Sequence, residues 1–153
     1  MADSLATLLA KARPDTHRVS LLTNYAWEIN ETKTNEAAQK LLEAIHLAQK
    51  LHFLPGEASA WNGLGVVEEI KGNIPQAIAH YQKALTLRKS INDRAAIASQ
   101  YNNLGTAYEQ AGAFDSSLVA LKEGLRLAEE LKDTNRIARL HLNMGGVYEE
   151  MGS

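Results

Sequence analysis

The 153-residue sequence contains no cysteine, so it can form neither a disulfide framework nor a thiolate metal site. No apolar run approaches the ~18 residues of a transmembrane helix, and no signal peptide precedes Asp3. The formal charge is only -2, from 16 basic and 18 acidic residues, which gives no electrostatic case for binding nucleic acid. We therefore expect one soluble domain that binds neither nucleic acid nor membrane. Its expected location is cytoplasmic, or periplasmic if a signal peptide has been removed.

The sequence also has little that favours catalysis. Its five histidines form no HExxH motif or similar spacing of metal ligands: His17, His46, His52, His80 and His141. No serine stands in the context of a nucleophile elbow, and the carboxylates are typical of solvated helix faces. These patterns predict no enzyme activity, no bound metal and no cofactor. His141 and Trp61 are interpreted as packed core residues.

What the sequence does contain is a repeat of 40 residues. Trp61, Leu64, Gly65 and Gly72 are followed 40 and 80 positions later by residues of similar character, namely Tyr101, Leu104, Gly105 and Gly112, then His141, Met144, Gly145 and Gly152. A second set in phase with the first includes Ala37, Ala77 and Ser117, and Leu47, Leu87 and Leu127. Internal periods of roughly 20 to 50 residues indicate a solenoid.

Within one period, apolar residues recur at steps of three and four, as an amphipathic helix requires. Gly72 and Gly112 divide each period into two helices, because glycine adopts the left-handed conformation that ends a helix. Asp15, Asn92-Asp93 and Asp133 are placed to cap the helices that follow. The pattern predicts no strand and eight helices, near 4–12, 16–31, 35–52, 57–71, 74–91, 95–111, 114–131 and 135–151.

Two glycines inside predicted helices call for a packing explanation, because glycine costs about 0.5 to 1 kcal/mol relative to alanine there. We expect Gly65 and Gly105 to face Ala77 and Ser117 where the two helices of a pair cross closely. A dinucleotide-binding loop is the alternative, since Gly63-Leu64-Gly65 begins such a motif. It is disfavoured because Glu68 stands where the third glycine should be and no strand precedes it.

Trp61-Asn62-Gly63-Leu64-Gly65, followed by Gly72, Ala77, Tyr81 and Ala84-Leu85, resembles the tetratricopeptide repeat (TPR). The period of 40 exceeds the usual ~34 residues of that family. The chain is similar to the longer-repeat branch found in kinesin light chains, animal cell-polarity adaptors and bacterial signalling proteins. The resemblance implies an all-α, right-handed superhelix of about three and a half helical pairs that acts as a non-enzymatic protein-interaction module.

The repeats predict how the chain is divided. We expect a single array over 1–153, with a capping helix at 1–15, a degenerate first repeat at 16–55, further repeats at 56–94 and 95–134, and the first helix of a truncated repeat at 135–153. In the first repeat, Tyr25-Ala26 replaces Leu-Gly. The stretch Leu22 to Glu28 is similar to the opening repeat of bacterial histidine kinases and cyclases. An alternative function is therefore the regulatory or sensor region of such a signalling enzyme.

The first helix of each pair carries a polar row that would line the concave wall of a solenoid, its usual binding surface. Asparagine amides match the backbone of an extended peptide, and glutamates repeated at 40-residue steps favour a basic ligand. Peptide-binding members of the long-repeat branch use such an asparagine row, as the resemblance implies. The alternative is a solvated polar face. The candidate peptide-binding residues are Asn24, Asn62, Val66, Glu69, Asn102, Asn103, Thr106, Glu109, Asn143 and Glu149.

Gly152-Ser153 aligns with the turn at Gly112-Ala113, so the sequence is interpreted as a fragment of a longer array cut at a repeat turn. The last helix is expected to pack Leu140, Val147 and Met151 on the preceding pair. An apolar strip formed by His141, Met144, Gly145 and Tyr148 would then lack its covering helix. Such a strip favours self-association, and we expect a homodimer through this helix.

Overall fold

A computed structural model describes residues 1–152, and over that range the chain forms eight α-helices and no strand. All eight predicted helices are present, and their ends differ from the predicted ones by a few residues at most. Gly152 is still helical, and Ser153 lies outside the described residues. The helices are α1 (Ala2–Lys11), α2 (Thr16–Ile29), α3 (Thr34–Lys50), α4 (Leu54–Ile70), α5 (Ile74–Ser90), α6 (Arg94–Gln110), α7 (Phe114–Glu130) and α8 (Thr134–Gly152).

The predicted turn and capping residues are confirmed. Gly72 and Gly112 adopt φ values of 77° and 72°, in the left-handed region. The amide of Asn73 donates to the carbonyl of Glu68 at 2.8 Å, which closes α4 with a Schellman-type bond. At helix starts, the side chains of Asp15, Asp93 and Asp133 accept backbone N–H groups three residues ahead.

The chain divides into two compact units, and the boundary falls inside α5. The first unit, Met1–Leu87, has a core in which α2 packs against α3 and α4. Val19, Leu22 and Leu41 are buried there, and α1 adds Leu9. The guanidinium of Arg18 donates to the carbonyls of Leu9 and Ala12 at 2.8 and 3.1 Å, which fixes the end of α1 on α2. The predicted helix at the amino terminus is therefore packed against the first repeat.

The second unit, from Arg88 onward, contains α6, α7 and α8. Its core includes Leu121, Leu140 and Val147, all essentially inaccessible. Two predictions were wrong here: Met151 is 49% exposed rather than packed, and His141 is exposed rather than buried. No helix among residues 1–152 follows α8 to cover His141, whereas α7 covers the corresponding face of α6.

The helix pairs cross closely at their glycines, as predicted. A Cβ on Gly105 would lie 2.5 Å from Leu121 Cδ2, and Ser117 Oγ donates to the Gly105 carbonyl at 2.7 Å. In the preceding pair, α4 and α5, the ring of Tyr81 fills the space beside Gly65. The sequence had predicted Ala77 for this position, which lies one turn before Tyr81 on α5. Glycine at these positions therefore makes room for a large side chain of the partner helix.

Candidate functional site

The polar residues of α6 and α8 meet where these two helices pack. Asn102, Thr106 and Glu109 are spaced by four and three residues, so they share one face of α6. α8 contributes Asn143 and Gly146 to the same place, through contacts with Asn102 and Glu109. We call this surface the α6–α8 face.

Two asparagines form the centre of the α6–α8 face. Asn143 Nδ2 donates to Asn102 Oδ1 at 2.8 Å, and both side chains are partly buried. The row expected from the sequence placed Asn143 with Asn103, but its bonding partner is Asn102. The bond leaves the amide group of Asn102, and the oxygen and second N–H of Asn143, able to bind other groups. The pair can therefore donate to and accept from a peptide backbone.

The hydroxyl of Thr106, near the asparagine pair, forms its hydrogen bonds within α6. Thr106 Oγ1 lies 2.9 Å from the carbonyl oxygen of Asn103 and 3.4 Å from that of Asn102. Its hydroxyl proton is thereby used within the helix. Thr106 can still accept a hydrogen bond through its lone pairs, so a ligand N–H is the group it can bind.

Glu109 supplies the negative charge of the α6–α8 face. Its Oε1 lies 3.2 Å from where a Cβ on Gly146 would stand, so the glycine leaves room for the carboxylate. Burial raises the pKa of Glu109, and the charge of Glu150 raises it further. No ion pair or hydrogen bond of this carboxylate is found among residues 1–152. A partly buried carboxylate in this situation would be stabilised by a cation. Glu149 is exposed on α8.

Glu69, the equivalent of Glu109 in the first unit, differs from it in having a hydrogen-bond partner. Glu69 accepts a hydrogen bond from the hydroxyl of Tyr81, which joins α4 to α5. Burial, followed by the bond to Glu69, raises the pKa of Tyr81. The residue 40 positions after Tyr81 is Leu121, which has no hydroxyl to offer Glu109. This Tyr-to-Leu difference is the sequence signal that distinguishes the two glutamates.

The remaining candidate residues of the first unit lie on α2 and α4. Asn24 is exposed and lines a cavity of about 180 Å³ together with Ser20, Thr23 and Ser59. Asn62 and Val66 are partly buried on α4. The structure therefore places Asn24 beside a small cavity of mixed lining, to which Val19, Phe53 and Pro55 contribute apolar side chains.

Trp61 packs against the core of the first unit, as the sequence predicted, but it is only partly buried. Its ring centroid lies 5.2 Å from that of His80, and Lys83 Nζ lies 4.1 Å from it. Burial lowers the pKa of His80, and the charge of Lys83 lowers it further. The sequence pattern missed this cluster because His80 and Lys83 lie outside the repeated core positions.

Across residues 1–152 there is no group of three or more side chains able to hold a metal ion. None of the helices in that range is long and apolar enough to cross a membrane.

Comparison with known proteins identifies the repeat. Residues 56–130 match the model of the tetratricopeptide repeat family. Among solved structures, BtubC (BKLC) from P. vanneervenii is 19% identical with a TM-score of 0.78, over 98% of this chain and 62% of that one. A signal transduction ATPase with numerous domains and a tetratricopeptide repeat sensor, from Pyrococcus horikoshii, is 15% identical with a TM-score of 0.85, over 95% and 23%.

A Rap protein complexed with competence and sporulation factor is 16% identical with a TM-score of 0.83, over 97% of this chain and 45% of the Rap chain. The chain thus spans less than two thirds of each of these relatives. No curated protein matches the sequence. The 40-residue repeat, the helix pairs with glycine at their crossings and the match over residues 56–130 together identify that segment as tetratricopeptide repeats.

Proposed function

We propose that this chain is a non-enzymatic protein-interaction module that binds an extended, basic peptide segment of a partner on the first helices of its repeats. The observation that carries the proposal is the α6–α8 face, where a bonded asparagine pair lies on the same surface as an unpaired glutamate. Amides of this kind suit a peptide backbone, and the glutamate suits a lysine or arginine side chain. No cofactor is needed for this role.

Each candidate residue has a stated part in the proposal. Asn102 and Asn143 bind the peptide main chain, with Asn103 and Thr106 beside them on α6. Glu109 pairs with a basic side chain, and exposed Glu149 adds to the negative potential. Within the first unit by itself, Asn24 and Asn62 would contact the backbone of a segment bound there, and Val66 an apolar side chain of it. Glu69 contributes negative charge while remaining bonded to Tyr81.

The Rap protein structure supports the proposal by analogy of fold. That protein is solved in complex with competence and sporulation factor, and the present chain matches 45% of it. A fold of this kind can therefore hold a bound factor. What this chain binds is argued from its own residues.

The proposal is tested with two sets of short peptides of equal length, one drawn from Lys, Arg, Ala and Leu and the other from Asp, Glu, Ala and Leu. Fluorescence polarisation should show tighter binding of the basic set, weakening as salt is added. Glu109→Lys should weaken the basic set at least about tenfold. Glu123→Lys makes the same charge change on α7 and should alter binding much less. Equal binding of both sets, or equal effects of both substitutions, would contradict the proposal.

A second candidate is the regulatory sensor region of a signalling enzyme. It is favoured by the likeness to the signal transduction ATPase with a tetratricopeptide repeat sensor, of which this chain matches 23%. The sequence of the complete gene tests this candidate. A kinase, cyclase or nucleotide-binding domain in the same reading frame would support it, and a reading frame containing only repeats would contradict it.

A further inference from the structure

A second cavity lies in the first unit, away from the polar row of α4. It has a volume of about 600 Å³ and is lined by side chains of α3, α4 and α5, including Gln49, Glu57, Trp61, Ala79, Lys83 and Leu87. Glu57 and Trp61 lie roughly 130° around α4 from Asn62, Val66 and Glu69, at 100° per residue. The cavity therefore opens on a different side of α4 from the proposed peptide-binding residues.

The aromatic side chain in this cavity is held in place. Trp61 Nε1 donates to Glu57 Oε1 at 3.2 Å, and Gln49 Nε2 donates to the same oxygen at 2.9 Å. The ring of His80 packs at 5.2 Å with an interplanar angle of 31°. The Glu57 carboxylate thus connects α3 to α4, and the indole ring connects α4 to α5. A ligand that binds here does not have to order the tryptophan, so little side-chain entropy is lost.

Lys83 is the group in the cavity that lacks a counter-ion. Its Nζ lies 4.1 Å from the Trp61 ring centroid, and no carboxylate pairs with it among the described residues. Glu57 carries the negative charge of the cavity, and its Oε1 atom already accepts two hydrogen bonds. A charge-assisted hydrogen bond to a carboxylate stabilises an ammonium group more than contact with an aromatic face does. The cavity is therefore complementary to an anion.

The rest of the lining combines the apolar residues Ala79 and Leu87 with the polar residues Gln82 and Thr86. Ala79 and Leu87 lie on α5 with Lys83, and the indole of Trp61 lies across from them on α4. A volume of about 600 Å³ lies within the usual range of ligand sites, and apolar walls with a few convergent polar groups are typical of them. The walls would bury an apolar side chain while Lys83 binds an adjacent acidic one.

We infer that this cavity, which we call the Trp61 cavity, is a second binding site for a partner-protein segment in which an apolar side chain neighbours a carboxylate. The apolar side chain packs on Trp61, Ala79 and Leu87, and the carboxylate pairs with Lys83. Its charge preference is opposite to that of the α6–α8 face. One chain could then bind an acidic and a basic segment at once. The inference does not depend on the function proposed for the asparagine pair.

The test uses Trp27→Phe protein, in which Trp61 is the only remaining tryptophan of two. The probes are short, blocked peptides drawn from Leu, Phe, Asp and Glu, with a matched set in which Lys replaces Asp and Glu. The indole N–H resonance of Trp61 is followed by NMR during titration. We expect the acidic set to shift this resonance to saturation and the lysine set to leave it nearly unchanged.

Charge reversal at the cavity identifies the site. Lys83→Glu should weaken acidic peptides at least about tenfold, and Lys83→Gln should weaken them less. Lys83 is exposed, so both variants should fold. Lys11→Glu on α1 and Lys122→Glu on α7 make the same charge change at other exposed lysines; they are the controls and should leave acidic peptides unaffected. An unshifted Trp61 resonance, equal shifts by both peptide sets, or full affinity of Lys83→Glu would overturn the inference.

Discussion

Asn143 on α8 donates a hydrogen bond of 2.8 Å to Asn102 on α6, across 41 positions of sequence. The 40-residue repeat makes Asn103, not Asn102, the equivalent of Asn143. The bond therefore joins two residues at different positions of the repeat, on the first helices of consecutive repeats. Because Glu109 approaches Gly146 on the same two helices, amide and carboxylate groups share one surface.

The glycine crossings lead to a prediction about stability. Gly105→Leu should lower the free energy of unfolding by about 1 to 3 kcal/mol, because the new side chain would overlap Leu121. Gly145→Leu is the matched control, 40 residues later, where nothing lies within 4 Å of an added Cβ. That change should be neutral or slightly stabilising. Urea unfolding of both variants measures the difference, and equal effects would contradict the packing role.

Tyr81 gives a prediction at alkaline pH. Its pKa is raised by burial and by its bond to Glu69, so the folded protein favours the neutral phenol. The contribution of Tyr81 to the free energy of unfolding is fully present below the tyrosine pKa of the unfolded chain, about 10, and is lost as the pH rises above that value. Tyr81→Phe should therefore lose less stability between neutral and high pH than the wild type.

At neutral pH, removing this hydroxyl should cost about 0.5 to 1.5 kcal/mol through the lost hydrogen bond. Tyr148→Phe is the control, because it removes the hydroxyl of a tyrosine that is 50% exposed. Parallel profiles of Tyr81→Phe and wild type above pH ~10 would contradict the account of this tyrosine.

Glu109 connects stability with binding. Its pKa is raised by burial and by Glu150, so ionisation in the folded state is unfavourable. The stability associated with its protonated form is present at low pH and is lost as the pH rises through the raised pKa. Glu109→Gln should therefore be more stable than the wild type at neutral pH and should weaken basic peptides.

The same variant gives a pH-dependent check by thermal unfolding. The stability gain of Glu109→Gln should shrink as the pH falls below the ordinary glutamate value of about 4.3. Glu149→Gln, at an exposed position, serves as the control. A Glu109→Gln protein that is less stable than the wild type at neutral pH would show that this carboxylate has a stabilising partner.

The exposed side of α8 predicts self-association. Tyr148 and Met151 are 50% and 49% exposed, and Met144, on the same side of the helix, is only partly buried. We expect a concentration-dependent dimer through this helix, because a second copy can cover the apolar surface. The double variant Met144→Glu, Tyr148→Glu should be monomeric in light scattering.

Leu42→Glu provides a comparison for this dimer, since Leu42 is an apolar residue of α3 that is 54% exposed. It should leave the dimer intact. A wild-type monomer at high concentration, or a dimer that survives both changes on α8, would refute this prediction.

Periodicity alone predicted the helices, the turn glycines and the close crossings, because these depend on backbone conformation and side-chain size. It did not predict which residues would be covered. His141 shares the repeat position of Trp61, yet it is exposed. The sequence also did not reveal that Tyr81 binds Glu69, since that bond depends on a phenol present in one repeat and replaced by Leu121 in the next. Equivalence within a repeat therefore predicts a shared face but not the contacts made on it.

The central claim is that the asparagine pair binds peptide backbone. Calorimetry should compare the wild type with the double variant Asn102→Ala, Asn143→Ala, using the tightest member of the basic peptide set and copies N-methylated at single backbone positions. The wild type should bind the unmodified peptide about tenfold or more tightly than the variant and should lose affinity on methylation at one or two positions. The variant should be insensitive to those methyl groups. Equal affinity of both proteins for the unmodified peptide would contradict the claim.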